Sequence, residues 1–135
     1  MLGHWTRWEP VEGLAMKYYI DSVSDAKNGF EIIFSKPNDK NKVRVLFQDN
    51  IDSYIKTDES YRLSVIHELG KKYGKNFYGY WTFFKVENSG YLQWLSEQSY
   101  GLSNYRPLLH FSFVTADSIL DVIAAYEPVI EIVNT

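Results

Sequence analysis

The segment Tyr80–Gly101 constrains the fold more than any other part of the chain. Its first half is strongly aromatic and is typical of a strand, which we expect over residues 77–86. Asn88 or Ser89 then caps a helix over about residues 89–98 that Gly101 ends. The segment is rich in groups that pack and bind, and it is poor in groups that do chemistry.

The rest of the chain predicts a mainly antiparallel sheet. Alternating side chains indicate strands over residues 30–35 and 42–48, and Asn28-Gly29 is a strong turn signal between the first pair of strands. Together with a strand over residues 16–23, these would form a meander with one wet face. Further strands are predicted at the following positions: residues 49–56, 108–115 and 128–133, the last with both faces largely covered.

A first helix is predicted over residues 59–73, with Thr57 or Asp58 as its cap and Gly74 as its terminator. Residues 116–125 fit either a helix or a strand, because their apolar spacing is helical while Ile and Val favour strands. We favour the helix. At 135 residues the chain predicts one domain over residues 1–135, of the α+β class, with two or three helices.

Composition narrows the class of protein. The chain has no cysteine, which excludes disulfides, thiolate nucleophiles and cysteine metal sites. No segment approaches the roughly 20 apolar residues that a membrane helix needs. The first residues lack the continuous apolar run of a secretory signal. We therefore expect a cytoplasmic protein with no membrane partner and no cofactor.

Charge is distributed unevenly along the chain. Residues 1–85 carry a net charge of +2, whereas residues 86–135 carry −5, with Arg106 as their single basic residue. An acidic half repels phosphate backbones and attracts basic partners. If residues 116–125 are helical, Asp117 and Asp121 share one face at i,i+4 spacing. They would then form an acidic stripe for a basic protein, or simply a solvated face.

Candidate chemistry is sparse. His67-Glu68 lacks the second histidine of a metalloprotease helix, and Gly70–Lys75 lacks the ending of a phosphate loop. His110 and Ser112 share a strand face, but residues two apart in a strand lie about 7 Å apart, which is loose for a catalytic pair. We therefore predict no catalytic residue and no metal ligand, and expect His110 to be hydrogen-bonded in the sheet.

Aromatic residues offer another kind of site. Tyr18, Tyr19, Phe30 and Phe34 alternate with lysines in a way that would suit an RNA-stacking sheet, but a pI of about 5.6 argues against nucleic-acid binding. Trp94 lies on the second predicted helix, and Tyr100 and Tyr105 flank the loop that follows it. Such side chains anchor many protein interfaces when exposed, although core packing is the commoner use of each.

Residues 77–133 resemble small bacterial immunity proteins of contact-dependent inhibition and other polymorphic toxin systems. The resemblance is carried by the pattern of Tyr80–Gly101, the stretch from Leu108 through Ile123 and the pair Glu127-Pro128. It implies a cytosolic protein that binds the C-terminal domain of a cognate toxin, a basic nuclease in many such systems, and occludes its active site. It brings no catalytic residues with it.

We therefore expect a toxin-neutralising binding protein and not an enzyme. Its expected contacts combine acidic and aromatic side chains: Glu97, Asp117, Asp121 and Glu127 for charge complementarity, and Trp94, Tyr100 and Tyr105 as anchors. Two alternatives stay open. One is a small ligand-binding or regulatory domain with an aromatic pocket. The other is a small hydrolase using His110, which would need a pocket holding His110 beside a carboxylate or a hydroxyl group.

Overall fold

A computed structural model describes residues 3–14 and 17–134, which form two antiparallel sheets and three α-helices. The strands run as follows: β1 His4–Arg7, β2 Tyr19–Ala26, β3 Gly29–Ser35, β4 Asn41–Phe47, β5 Ser53–Asp58, β6 Phe83–Glu87, β7 Leu109–Val114, β8 Ser118–Ala124 and β9 Val129–Asn134. The helices are α1 Leu63–Tyr73, α2 Lys75–Gly79 and α3 Gly90–Gln98. The predicted α+β class is confirmed.

The first sheet has the order β2-β3-β4-β9, so the predicted meander is confirmed and the last strand of the chain extends it. The hairpin between β2 and β3 turns at Lys27 and Asn28, and Gly29 begins β3 with φ of +133°. A β-carbon there would lie 2.6 Å from the carbonyl oxygen of Phe47, so both the backbone angle and the space require glycine.

The second sheet has the order β1-β6-β7-β8-β5 and carries both sites described below. One of its faces packs on the four-stranded sheet. The core between the sheets is almost entirely apolar and strongly aromatic, with fully buried side chains that include Phe34, Phe47, Phe83, Phe111 and Phe113. Ring pairs such as Phe34–Phe83, with centroids 5.2 Å apart, cross the interface edge to face.

The helices cover the opposite face of the five-stranded sheet. Leu69 of α1 is fully buried there, against Trp5, Phe84 and Val86. α3 lies over β7, because Tyr91 contacts His110. The molecule therefore has three layers: the four-stranded sheet, the five-stranded sheet and the helices. We call the two faces of the five-stranded sheet the sandwich side and the helix side.

Four sequence predictions are corrected. Residues 77–86 are not one strand, since α2 ends at Gly79 and β6 begins only at Phe83. Residues 116–125 are not a helix but contain β8, a central strand buried on both faces, where Ile and Val pack well. β9 is a half-exposed edge strand and is not covered on both faces. The first helical turn is a separate 3-10 helix, Glu59–Tyr61, capped by Asp58.

Most other boundaries agree within a few residues. Ser89 caps α3 by accepting a hydrogen bond from the amide of Leu92, and Gly74 ends α1. The strand predicted over residues 16–23 is β2, displaced by three residues. Its first predicted residue, Met16, lies outside the described part of the chain.

Candidate functional site

Four large apolar side chains are exposed within a short segment of the described chain. The segment consists of α3 and the 3-10 helix that follows it, Leu102–Tyr105. Tyr100 is 99% exposed and Tyr105 is 88% exposed. Leu102 and Trp94 are also exposed. We call Trp94, Tyr100, Leu102 and Tyr105 the aromatic surface; it contains all three anchor residues that the sequence suggested.

The backbone holds Tyr100 in an unfavourable conformation. The amide of Gly101 donates to the carbonyl of Ser96 at 2.7 Å, and the amide of Tyr100 donates to that of Glu97 at 3.2 Å. This pair of bonds is the Schellman arrangement, in which the residue after the helix cap is usually glycine because it is left-handed. Here that residue is Tyr100, with φ of +52°. A left-handed non-glycine residue costs about 1–2 kcal/mol.

A groove of about 620 Å³ lies beside the aromatic surface. It runs between α3 and the following 3-10 helix, and Arg106 forms one wall while paired with Asp52. Its other walls are mostly small polar side chains, among them Ser96, Ser103 and Asn104. This end of the helix side therefore combines protruding aromatic rings with a concave polar groove.

The predicted acidic residues do not form one surface. Glu97 lies on α3 beside the aromatic surface and is exposed. Asp117 precedes β8 and Glu127 follows it, so about 20 Å of strand separates them. Glu127 also forms an ion pair with Lys85, which shares a strand face with Phe83 on the sandwich side. Glu97 is thus the single predicted acid that accompanies the predicted anchors.

Asp121 was expected on an exposed helical stripe with Asp117, and this placement is wrong. Because residues 118–124 are a central strand, Asp121 points into the helix side and is only 2% exposed. It lies opposite Ser112 in the register of β7 and β8 and diagonal to His110. A carboxylate so deeply buried is not available to a protein partner as surface charge.

Asp121 instead belongs to a buried polar site. Its Oδ1 lies 2.7 Å from Nε2 of His110, and Nδ1 of the same ring lies 2.7 Å from Oγ of Ser89. Ser89 and His110 are 3% and 5% exposed. Three elements therefore meet here: the N-terminus of α3, β7 and β8. Ser112, the neighbour suggested by the sequence, does not bond to His110, and its hydroxyl has no partner in the described chain.

Arg62 compensates the buried charge. Its Nη1 donates to the second carboxylate oxygen of Asp121 at 2.9 Å. Burial by itself would raise the pKa of Asp121, but the hydrogen bond and charge of His110 and the charge of Arg62 together hold that pKa below its usual value. Asp121 is therefore ionised at neutral pH. An ionised carboxylate only accepts hydrogen bonds, so Nε2 of His110 donates to it.

A cavity of about 320 Å³ opens onto this site. Ser89, His110, Asp121 and Arg62 line it, and the remaining walls are largely apolar: Trp5, Ile55, Val65, Tyr91 and Trp94. Tyr91 lies edge-on to His110, with ring centroids 5.5 Å apart, and its hydroxyl is hydrogen-bonded to Ser53. Burial raises the pKa of that hydroxyl, so Tyr91 is neutral at physiological pH.

Sequence reasoning missed this constellation for an identifiable reason. The sequence identifies Ser89 only as a helix cap, and Arg62 lies within the first predicted helix without a pattern that marks it. Asp121 was assigned to the wrong type of element. The spacing of these residues along the chain carries no signal, because strand pairing and the docking of α3 bring them together. The stated requirement for the hydrolase alternative, a pocket with His110 beside a carboxylate or a hydroxyl group, is nevertheless met.

Other kinds of site find less support in the structure. Within residues 3–14 and 17–134, no three His, Asp or Glu side chains are placed to hold a metal ion. None of the described helices is long and apolar enough to cross a membrane. No known protein family, curated protein or solved structure matches the chain.

Proposed function

We propose that this protein is a cytosolic immunity protein that binds a toxin domain through the aromatic surface and thereby blocks its active site. The observation that carries the proposal is Tyr100. A fully exposed tyrosine occupies a left-handed position at which glycine would be more stable. Strain of this kind persists in functional segments because the strained side chain is needed there.

The physical properties of the aromatic surface suit tight protein binding. Tyr and Trp supply large contact areas and are enriched among the residues that dominate binding energy. Three of the four residues follow α3 in a segment whose backbone is fixed by hydrogen bonds, including that from the amide of Ser103 to Oγ of Ser99 at 3.0 Å. A preorganised surface loses little conformational entropy on binding. The neighbouring groove would receive a protruding side chain of the partner.

Charge supports a basic partner. Residues 86–135 carry a net charge of −5, and Glu97 stands exposed on the same helix as Trp94. A nuclease toxin has a basic cleft, because it must bind a phosphate backbone. Complementary charge would accelerate the encounter, and burial of the aromatic rings would slow dissociation. The resemblance of residues 77–133 to immunity proteins points to the same function.

The proposal is tested by purifying the tagged full-length chain from its host at moderate salt and identifying bound proteins by mass spectrometry. We expect one stoichiometric partner that contains a toxin C-terminal domain. Expression of that domain alone should stop growth, and co-expression of this protein should restore it. Recovery of the protein without a partner, in cells shown to express the neighbouring toxin, would contradict the proposal.

A further inference from the structure

The proposed immunity function makes no use of the buried polar site, which contains the groups of a nucleophilic enzyme. We propose that Ser89 and His110 are catalytic residues, positioned by Asp121, that hydrolyse esters of small apolar acids. This inference goes beyond the proposed immunity function, because the reacting groups lie inside the cavity, which shares only Trp94 with the aromatic surface.

The order of the contacts is that of a nucleophile, a base and an orienting carboxylate. Both distances from His110, to Ser89 and to Asp121, are 2.7 Å, within the range needed for proton transfer. In the form of the imidazole that carries a single proton, on Nε2 facing Asp121, Nδ1 is free to accept the hydroxyl proton of Ser89. Either imidazole nitrogen is chemically able to act as the base.

The position of Ser89 supplies the electrostatic part of catalysis. Ser89 is the N-cap of α3, so the amides of Gly90 and Tyr91 follow it and have no acceptor within their own helix. Such amides stabilise the oxyanion of a tetrahedral intermediate. The amide of Leu92 already donates to Oγ of Ser89 at 3.1 Å, which favours the developing alkoxide.

The cavity defines the class of substrate. Its volume of about 320 Å³ is at the lower end of the range for small-molecule sites, and its walls include Trp5, Ile55, Val65 and Trp94. Ser89 also borders the polar groove, but this cavity is lined by both Ser89 and His110, so we place the reacting ester in it. The acyl group must therefore be small and largely apolar.

In the reaction, Oγ of Ser89 attacks the ester carbonyl carbon while its proton moves to Nδ1 of His110. The bond from that carbon to the leaving oxygen then breaks, and the leaving alcohol takes the proton from His110. Water, deprotonated by His110, attacks the acyl-serine. The carboxylic acid departs and Ser89 regains its proton. Asp121 stays ionised throughout and stabilises the imidazolium.

The test uses the purified full-length chain with a small alkyl fluorophosphonate and with p-nitrophenyl acetate. We expect one covalent adduct, mapped to Ser89 by peptide mass spectrometry, and ester hydrolysis that falls at least about 100-fold in His110→Gln. Ser89→Asn should abolish both signals while retaining the helix cap. Ser24→Ala, an exposed serine on β2 in the other sheet, is the control and should leave both signals unchanged.

Circular dichroism and urea denaturation establish that each variant is folded before its activity is compared. Absence of an adduct on the folded wild-type protein would overturn the proposal. So would an adduct at another residue, or an ester hydrolysis rate that folded Ser89→Asn retains. If the enzyme site fails these tests, the immunity function is unaffected, since partner binding is measured separately.

Discussion

The two sides of the five-stranded sheet are built from different chemistry. On the sandwich side, Phe83, Phe111 and Phe113 pack against the second sheet in a core without buried charge. On the helix side, the same strands β7 and β8 place His110, Ser112 and Asp121 under the helices. Adjacent residues of a strand point to opposite sides, so one pair of strands serves both environments.

The two sides contribute differently to the free energy of folding. Burial of aromatic surface stabilises a fold without reference to any partner. Burial of a carboxylate and a histidine costs free energy that their contacts only partly return. The strained Tyr100 and the exposed aromatic surface also belong to the helix side. We infer that the sandwich side holds the molecule together and that the helix side carries its functional residues.

The largest expected effect lies on the sandwich side. Phe113→Ala removes a fully buried ring that contacts Trp8, Phe34 and Phe83. We expect the free energy of unfolding to fall by about 3–5 kcal/mol, because a cavity remains where the ring was. Urea denaturation followed by tryptophan fluorescence measures this. Phe113→Leu is the matched control and should lose less; a loss below 1 kcal/mol for Phe113→Ala would contradict the comparison.

A smaller loss is expected for Asp121→Asn on the helix side. The variant keeps the shape of the side chain but removes the charge that faces His110 and Arg62. We expect a loss of about 2 kcal/mol at neutral pH, the usual contribution of hydrogen bonds to charged groups. The same denaturation assay measures it, and Asp117→Asn, an exposed neighbour, should change stability little.

The pH dependence follows from the lowered pKa of Asp121. A carboxyl group whose pKa is lower in the folded than in the unfolded protein stabilises the fold above the unfolded-state pKa, about 3.9. That stabilisation is lost as the pH falls through the folded-state pKa. The difference in unfolding free energy between the wild type and Asp121→Asn should therefore be constant near neutral pH and shrink as the pH falls below about 3.9. A difference that stays constant in that acidic range as well would exclude this account of the ion pair.

A gain in stability is expected for Tyr100→Gly. Glycine adopts the left-handed conformation of residue 100 without steric cost, whereas tyrosine does not. We expect the variant to be more stable by about 1 kcal/mol, read as a higher urea midpoint with an unchanged slope. Tyr105→Ala is the control because Tyr105 is equally exposed but has no positive φ. A less stable Tyr100→Gly would show that the tyrosine contributes to folding.

The smallest effect on folding is expected for Glu97→Lys. Glu97 is exposed on α3, so the stability of the isolated protein should change by less than about 0.5 kcal/mol. If the partner is basic, association should slow severalfold at low salt and less at high salt. The association rate constants of the wild type and Glu97→Lys are measured by stopped flow or biolayer interferometry at two ionic strengths. A rate independent of the charge at residue 97 would place the interface elsewhere.

Local sequence patterns were sufficient to predict many of the strands and helices. Alternation predicted β3, β4 and β7, and the cap at Ser89 was correctly placed, because these features depend on neighbouring residues. β8 was assigned as a helix because its apolar spacing fits both periods. The segment is a strand because it pairs with both β5 and β7 in the sheet, where both of its faces are buried.

The sites were predictable to different degrees. Trp94, Tyr100 and Tyr105 were suggested as anchors from their position near a helix end; the structure shows all three exposed, and their role in binding stays a prediction. The left-handed backbone of Tyr100 was not predicted, since the neighbouring Gly101 is the residue expected to take that conformation at the end of the helix. The contacts of His110 with Asp121 and with Ser89 join residues 11 and 21 positions apart through sheet register and helix docking, and no local pattern encodes them.

The central claim is tested most directly by the affinity of Tyr100→Gly for the toxin domain recovered with the wild-type protein. Isothermal titration should show binding at least about 30-fold weaker than wild type, the effect of losing one dominant aromatic contact. Tyr61→Gly, which removes an exposed tyrosine next to α1, should bind like wild type. Unchanged affinity in Tyr100→Gly would contradict the account, because the strained tyrosine would then have no role in binding.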